Sequence, residues 1–187
     1  MLKKEIRVIG IDDSPFKKSQ KDEVLVVGSI FRGGLFLDGI LSTKIKIDGD
    51  DSTEKIASMI NKCKFKPQLQ CILLNGIAVG GFNVINIKEL SKITRLPVIV
   101  VIRRKPNITL IKETLEKIGK KEKIKLIEKA GSVIPIGSLF VQISGLGIEK
   151  AKEILKITCT RSLIPEAIRI SHLIASGITD GESRGKA

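Results

Sequence analysis

Residues 6–16 read IRVIGIDDSPF. Ile6, Val8, Ile9 and Ile11 make the run almost continuously apolar, as in a central strand covered on both faces. It ends in Asp12 and Asp13, followed by Ser14 and Pro15. A strand of this kind delivers a carboxylate to the rim of a buried sheet. An unpaired carboxylate there is costly unless a cation or hydrogen-bond donors meet it. Asp12 therefore has two readings. It is a site residue, or it is a strand-end aspartate bonding backbone N–H groups in the turn toward Pro15. The site reading is carried forward, and Asp13 reads as a turn residue facing solvent.

Outward from this stretch, VLVVGSIF (24–31) is a second apolar strand. Gly33 and Gly34 offer a turn able to take positive φ. In the return segment LFLDGILSTKIKID (35–48), Thr43, Ile45 and Ile47 face one way, and Lys44 and Lys46 the other. Lysine-bearing alternation suits an edge strand that must resist further pairing. The first third is thus a three-stranded antiparallel meander. The period then changes. DDSTEKIASMINK (50–62) repeats Ile56, Met59 and Ile60 at helical spacing, with Asp51 and Glu54 placed as a capping box. SPFKKSQKDE (14–23) reads as a polar loop, and QCILLNG (70–76) and LPVIVVI (96–102) as buried strands. Between the last two, GGFNVINIKELSKIT (80–94) predicts an amphipathic helix through Val84, Ile87 and Leu90. Strands alternating with helices imply a parallel βαβ unit.

The remainder predicts helices over 107–131, with a break at Gly119, over 148–158 and over 164–176, where Pro165 suits a first turn. Residues 132–144 predict two short strands around Pro135–Gly137, and 178–187 a polar, frayed tail. No linker, repeat or low-complexity block divides the chain, so 1–187 reads as one domain.

Lys and Arg number 33 against 20 Asp and Glu, a net charge of +13. Such a surplus favours polyanionic partners, because each neutralised phosphate releases counterions. A Lys/Glu-rich thermophile surface accounts for the lysine content but not for the imbalance of sign. With no Tyr, no Trp and six Phe, the chain offers few aromatic platforms for single-stranded bases. Cys63, Cys71 and Cys159 form no CxxC pair and read as small buried hydrophobes in a reducing compartment. No run is apolar for ~18 residues, and the N-terminus lacks a signal-peptide pattern. The expectation is a cytoplasmic protein without membrane contact, partnered by DNA or RNA.

IGIDDSPF resembles the opening strand of endonuclease V. LLNGIAVGGFNVINIKELSKITRLPVIVV resembles that family's strand, glycine loop, helix and Leu-Pro strand. LFVQISGLGIEKAKEILKIT and SLIPEAIRISHLIAS resemble its C-terminal strand and helices. VGSIFRGG and LDGILSTKIKIDGDDST are closer still to an archaeal family of unknown function related to endonuclease V. The resemblance implies an α/β, ribonuclease H-like fold. This is a mixed five-stranded sheet, three antiparallel strands then βαβ, followed by C-terminal strands and helices. It also implies metal-dependent cleavage of nucleic acid. Asp12 falls on the family's first-strand aspartate, Asp50 or Asp51 near its helix-start acid, Asn75 on an aspartate, and Arg103 on a basic residue. Three features depart from the family. Asn75 is neutral, no histidine stands near Ser144, and the proline-tyrosine wedge is missing.

Asp12 and Asp51 are accordingly the catalytic candidates, and Asp12, Asp51 and Asn75 the metal candidates for magnesium or manganese, bound weakly or not at all. Arg32, Arg103, Arg104 and Lys105 are the candidate nucleic-acid contacts. Each has a plainer role beside it. Capping explains Asp51, a hydrogen bond to its own loop explains Asn75, and a solvated charge run or hairpin tip explains the basic residues. Asn75-Gly76 is also a deamidation sequence. Close packing explains Gly80 and Gly81 better than a phosphate cradle, which would need a Walker lysine. His172, lacking a His or Cys partner at ligand spacing, reads as a helix-packing residue. The leading reading is a nucleic-acid-binding protein on an endonuclease V-like scaffold with a degraded metal site. Its rivals are a metal-dependent endonuclease and a non-catalytic assembly subunit.

Overall fold

A computed structural model describes residues 4–17 and 22–183. The chain order is β1 (Arg7–Asp13), β2 (Glu23–Arg32), β3 (Phe36–Lys46), α1 (Ser52–Asn61), β4 (Cys71–Asn75), β5 (Ala78–Val79), β6 (Asn83–Val84), α2 (Ile87–Thr94), β7 (Val98–Ile102), α3 (Ile108–Lys117), α4 (Glu122–Lys129), β8 (Ile134–Ile136), β9 (Leu139–Ser144), α5 (Ile148–Thr158) and α6 (Glu166–Asp180). One seven-stranded sheet runs β3-β2-β1-β4-β7-β9-β8. The meander β1–β2–β3 is antiparallel, and β1, β4 and β7 are parallel to one another. These five strands are the predicted ribonuclease H-like set. The C-terminal strands extend the same sheet, with β9 antiparallel to β7.

Strand alternation divides the core. Ile9, Ile11, Ile72, Leu74, Val98 and Val100 face one way, toward the layer holding Ile56, Ile60, Ile87 and Leu90 from α1 and α2. Val8, Cys71, Leu73, Ile99 and Val101 face the other way, toward Ala151 and Ile154 of α5 and Ala167 and Ile168 of α6. A smaller cluster under α3 and α4 is built on Val84, Leu115 and Ile127. Each fully buried side chain of this size contributes ~1.5–3 kcal/mol.

Several local expectations shift. Val84 lies in β6, and α2 begins at Ile87, where the Asn86 side chain accepts from Glu89 N. The turn of the last hairpin sits at Gly137–Ser138, after Pro135 in β8. Pro165 is the cap residue of α6 rather than part of its first turn, and α6 runs through Asp180, into the stretch expected to fray. Residues 18–21 of the predicted polar loop and 184–187 of the tail lie outside the described residues. The helical break occurs as expected, with Gly119 at φ 73° between α3 and α4. Gly80 and Gly81 are also packed closely, as expected. A Cβ on Gly80 would lie 2.8 Å from a Val24 methyl, and one on Gly81 2.5 Å from Asp48 Oδ1.

Candidate functional site

Helix α6 is registered on β1 at three successive points. The first is Gly10. A Cβ there would lie 2.3 Å from the Ala167 carbonyl carbon and 2.4 Å from Ile168 N. Only glycine lets the helix backbone come this close. Next is Ser171, whose Oγ accepts from Ser29 N at 2.9 Å and donates to Gly10 O at 2.8 Å. The hydroxyl therefore bridges residues paired across β1 and β2. Ser29 Oγ donates to Ala167 O at 2.6 Å, adding a further tie. The third point is His172, whose Nδ1 lies 2.9 Å from Asp12 Oδ2.

The carboxylate at the end of the opening strand thus meets an imidazole rather than the turn toward Pro15. Asp12 is 4% exposed, so burial makes this partner decisive. Nδ1–H donates to the carboxylate, which fixes the ring's tautomer and orientation. Taking His172 as a helix-packing residue missed this contact. Its signal was present in IRISHLIAS. Ile168, Ser171 and Ala175 mark the face that packs on the strand, and His172 stands next to Ser171 on it.

Asp13 points to the opposite face. Its Oδ2 accepts from Gly80 N at 2.8 Å, so it is no solvent-facing turn residue. Burial pushes its carboxyl up to about 6. The Gly80 hydrogen bond opposes this rise and the neighbouring Asp12 charge adds to it.

Asn75 ends β4 beside Asp12. Ile11 is in register with Leu74, so Asp12 and Asn75 come next on neighbouring parallel strands and project to the same face. One strand spacing is ~4.8 Å. Among the described residues no protein group bonds the Asn75 amide, so it does not brace its own loop as expected. Gly76 N donates to Val101 O at 3.0 Å, which holds that nitrogen away from the Asn75 side chain and opposes deamidation. Arg103, Arg104 and Lys105 follow β7, the next strand over, and are exposed. No carboxylate among the described residues pairs with them.

Two other expected members stand elsewhere. Asp51 makes no capping bond. Its Oδ1 accepts from Asn83 Nδ2 at 2.8 Å and from Lys46 N at 3.1 Å. Asn83 Oδ1 in turn accepts from Ser52 N at 3.1 Å, so α1 is capped by an amide from β6. Asp51 is thereby tied into the α1 side of the sheet, away from the face that carries Asp12 and His172. Asp50 instead pairs with Lys123 Nζ at 3.0 Å. Arg32 lies at the far end of β1, because antiparallel pairing sets it opposite Arg7. Arg7 and Arg32 both donate to Asp38, the extra residue of a bulge in β3. Burial raises the Asp38 carboxyl, but these guanidiniums outweigh it and hold it below the usual range.

A divalent cation of the magnesium type asks for several hard oxygen ligands. Asp12 and Asn75 provide one anionic and one neutral oxygen. Among the described residues no group of three or more His, Cys, Asp or Glu is arranged to hold a metal ion. Asp12 and Asn75 alone fall short of that ligand set. The residues present make a buried carboxylate–imidazole pair, with a free amide and an unpaired basic run on the neighbouring strand ends. Nor is any described helix long and apolar enough to cross a membrane.

Comparison with known proteins fits this architecture. A UPF0215 protein from Methanothermobacter thermautotrophicus is 47% identical over 191 residues, covering 100% of this chain and 94% of that protein. One from Pyrococcus horikoshii is 43% identical, covering 98% and 97%. A crystal structure of a protein of unknown function from Archaeoglobus fulgidus superposes with TM-score 0.86 at 39% identity, over 92% of this chain and 97% of that one. Endonuclease V from Ciona intestinalis, solved with DNA containing an inosine, shares the fold with TM-score 0.55 at 18% identity, over 88% and 82%. The family model described as endonuclease dU matches residues 4–179. The chain belongs to the endonuclease dU family, among the archaeal UPF0215 proteins, on an endonuclease V-like fold.

Proposed function

We propose that this protein binds a DNA or RNA strand across the carboxyl ends of β1, β4 and β7 and cleaves it at a deoxyuridine. The observation that carries this reading is the buried Asp12 carboxylate held at 2.9 Å on His172. Asp12 orients the ring and stabilises the imidazolium that forms when His172 takes a proton. The proton comes from a water whose oxygen attacks the phosphorus. The bond from phosphorus to the leaving oxygen breaks, and that oxygen is protonated by solvent. Arg103, Arg104 and Lys105 contact the strand's phosphates, and Asn75 hydrogen-bonds the strand beside the pair. Arg32, at the other end of the sheet, takes no part. The family description supports the choice of deoxyuridine, and the +13 charge supports a polyanionic partner.

A second reading is binding without cutting, the degraded-site alternative. The neutral amide of Asn75, and the lack of a three-ligand group among the described residues, favour it. One experiment separates the two. End-labelled strands carrying deoxyuridine, inosine or no modified base are incubated with magnesium, manganese or EDTA. Cleavage by the wild type that falls at least 10²-fold in both Asp12→Asn and His172→Ala supports the first reading. Salt-dependent binding with no cleavage under any condition leaves the second. Cleavage unchanged by either substitution overturns the assignment of the pair.

A further inference from the structure

A cavity of about 140 Å³ lies between the β5–β6 hairpin, α3 and the end of β7. Its walls include Ile77, Phe82, Ile102, Pro106 and Ile127, and its polar side chain is Gln142. Gln142 sits on β9, in register with Val100, and is 3% exposed. Its Nε2 donates to Gly131 O at 2.8 Å. That bond makes Nε2 the donor end of the amide and leaves Oε1 as its acceptor. Among the described residues no protein donor reaches it. An acceptor that no protein group occupies is open to an N–H brought by a ligand.

Size narrows the ligand. At ~30 Å³ for each water in the liquid, the space equals about five waters. It is well below the ~300–1,000 Å³ of sites for drug-sized molecules. A flat, uncharged single ring fits this description, and the lone acceptor asks for a ring that carries an N–H. Position supplies the rest. Ile77 follows Asn75-Gly76, and Ile102 immediately precedes Arg103, so the cavity borders the strand ends where the proposed nucleic-acid path runs.

We propose that the cavity is the binding site for a uracil base and that Gln142 is its specificity-determining residue. The inference rests on the nucleic-acid reading above and adds the atom that selects the base. Uracil N3–H donates to Gln142 Oε1 while the apolar walls cover its faces. Cytosine presents a bare N3 lone pair to the same oxygen, and thymine adds a methyl group to a space this small. A site built around one hydrogen bond discriminates strongly against analogues that lack it, because the buried partner is then left unpaired.

The test compares oligonucleotides with an uncleavable methylphosphonate linkage beside one position that carries deoxyuridine, deoxycytidine or thymidine, so that binding is read without cutting. Fluorescence anisotropy gives affinity, and isoleucine methyl NMR reports on Ile77, Ile102 and Ile127. The wild type is expected to prefer deoxyuridine at least tenfold and to show saturable shifts of these methyls. Gln142→Leu should bring the preference to near one while keeping salt-dependent binding. Ala78→Leu, which fills the cavity and leaves Gln142 in place, should remove both the preference and the shifts. Equal affinity for the three strands in the wild type overturns the proposal, as does a preference that survives Gln142→Leu. If the preference holds but no strand is ever cut, the base site stands and the cleavage reading fails. If cutting occurs without base preference, the reverse follows.

Discussion

Replacing Gly10 with alanine tests the structural basis of the site most severely. The added Cβ would lie 2.3, 2.4 and 2.6 Å from Ala167 C, Ile168 N and Ala167 O, all backbone atoms of α6. Carbon contacts are comfortable at ~3.5–4.0 Å, so the helix must retreat by about 1 Å or more. Forcing extra volume into a packed region costs ~1–3 kcal/mol. The retreat also stretches the two Ser171 bonds that bridge β1 and β2, each worth ~1 kcal/mol. The expected loss is therefore about 3–5 kcal/mol, a large share of the ~5–15 kcal/mol of a typical domain. For a chain of this length that lowers Tm by about 6–20 °C. Gly28→Ala is the control. Its Cβ would meet only the tips of Ile9, Ile11 and Met59 at 2.9, 3.1 and 3.3 Å, on the other face of the sheet. Those tips can rotate aside, so the loss should stay below about 1.5 kcal/mol. Calorimetry on both variants, with imidazole NMR of His172, provides the comparison. A Gly10→Ala protein as stable as Gly28→Ala, with an unchanged His172 signal, would refute the claim that this close approach sets the helix on the strand.

Asp13→Asn should stabilise the protein at pH 7–8 by about 3 kcal/mol. The native carboxyl titrates at about 6 against 3.8 ordinarily. The folded state therefore holds the proton between about pH 4 and 6, where the unfolded state has lost it, and stability falls as pH rises through that window. Urea melts from pH 4 to 8 should show this decline in the wild type and its loss in the variant. Lys123 is 1% exposed and donates to the carbonyls of Asp48, Gly49 and Phe82. Lys123→Met leaves these acceptors without their ammonium and should cost about 3 kcal/mol or more by thermal melting. Arg103→Ala and Arg104→Ala should each reduce the slope of log affinity against log salt by about 1 for any sequence bound, measured by anisotropy titration. A slope unchanged in both would remove them from the phosphate path.

Much of the scaffold was legible because it depends on local period. IRVIGID, VLVVGSIF and the Lys44/Lys46 alternation marked the meander, and the helical runs and their break at Gly119 appeared where spacing set them. Element edges were less legible. Val84 suited the helical period yet joined a two-residue strand, since Asn86 caps α2 only after it. The site was half readable. Asp12 and Asn75 were brought together by the resemblance to endonuclease V, and the parallel pairing of β1 with β4 sets them on neighbouring strand ends. His172 was missed because its partner lies 160 positions away, across a contact that only Gly10 and Ser171 reveal. Asp51 was misplaced because a capping sequence does not show that Asn83, on another element, already satisfies α1. Arg32 read as a nucleic-acid contact or a hairpin-tip charge, and the antiparallel register puts it at the other end of β1 from Asp12.

A crystal structure of Asp12→Asn bound to a deoxyuridine-containing oligonucleotide tests the central claim most directly. The account predicts a strand crossing the carboxyl ends of β1, β4 and β7, one phosphate within hydrogen-bond reach of His172 and its neighbours against Arg103–Lys105. A strand bound instead at the Arg7–Arg32 end of the sheet, with His172 more than a nucleotide's length from any phosphate, would contradict it.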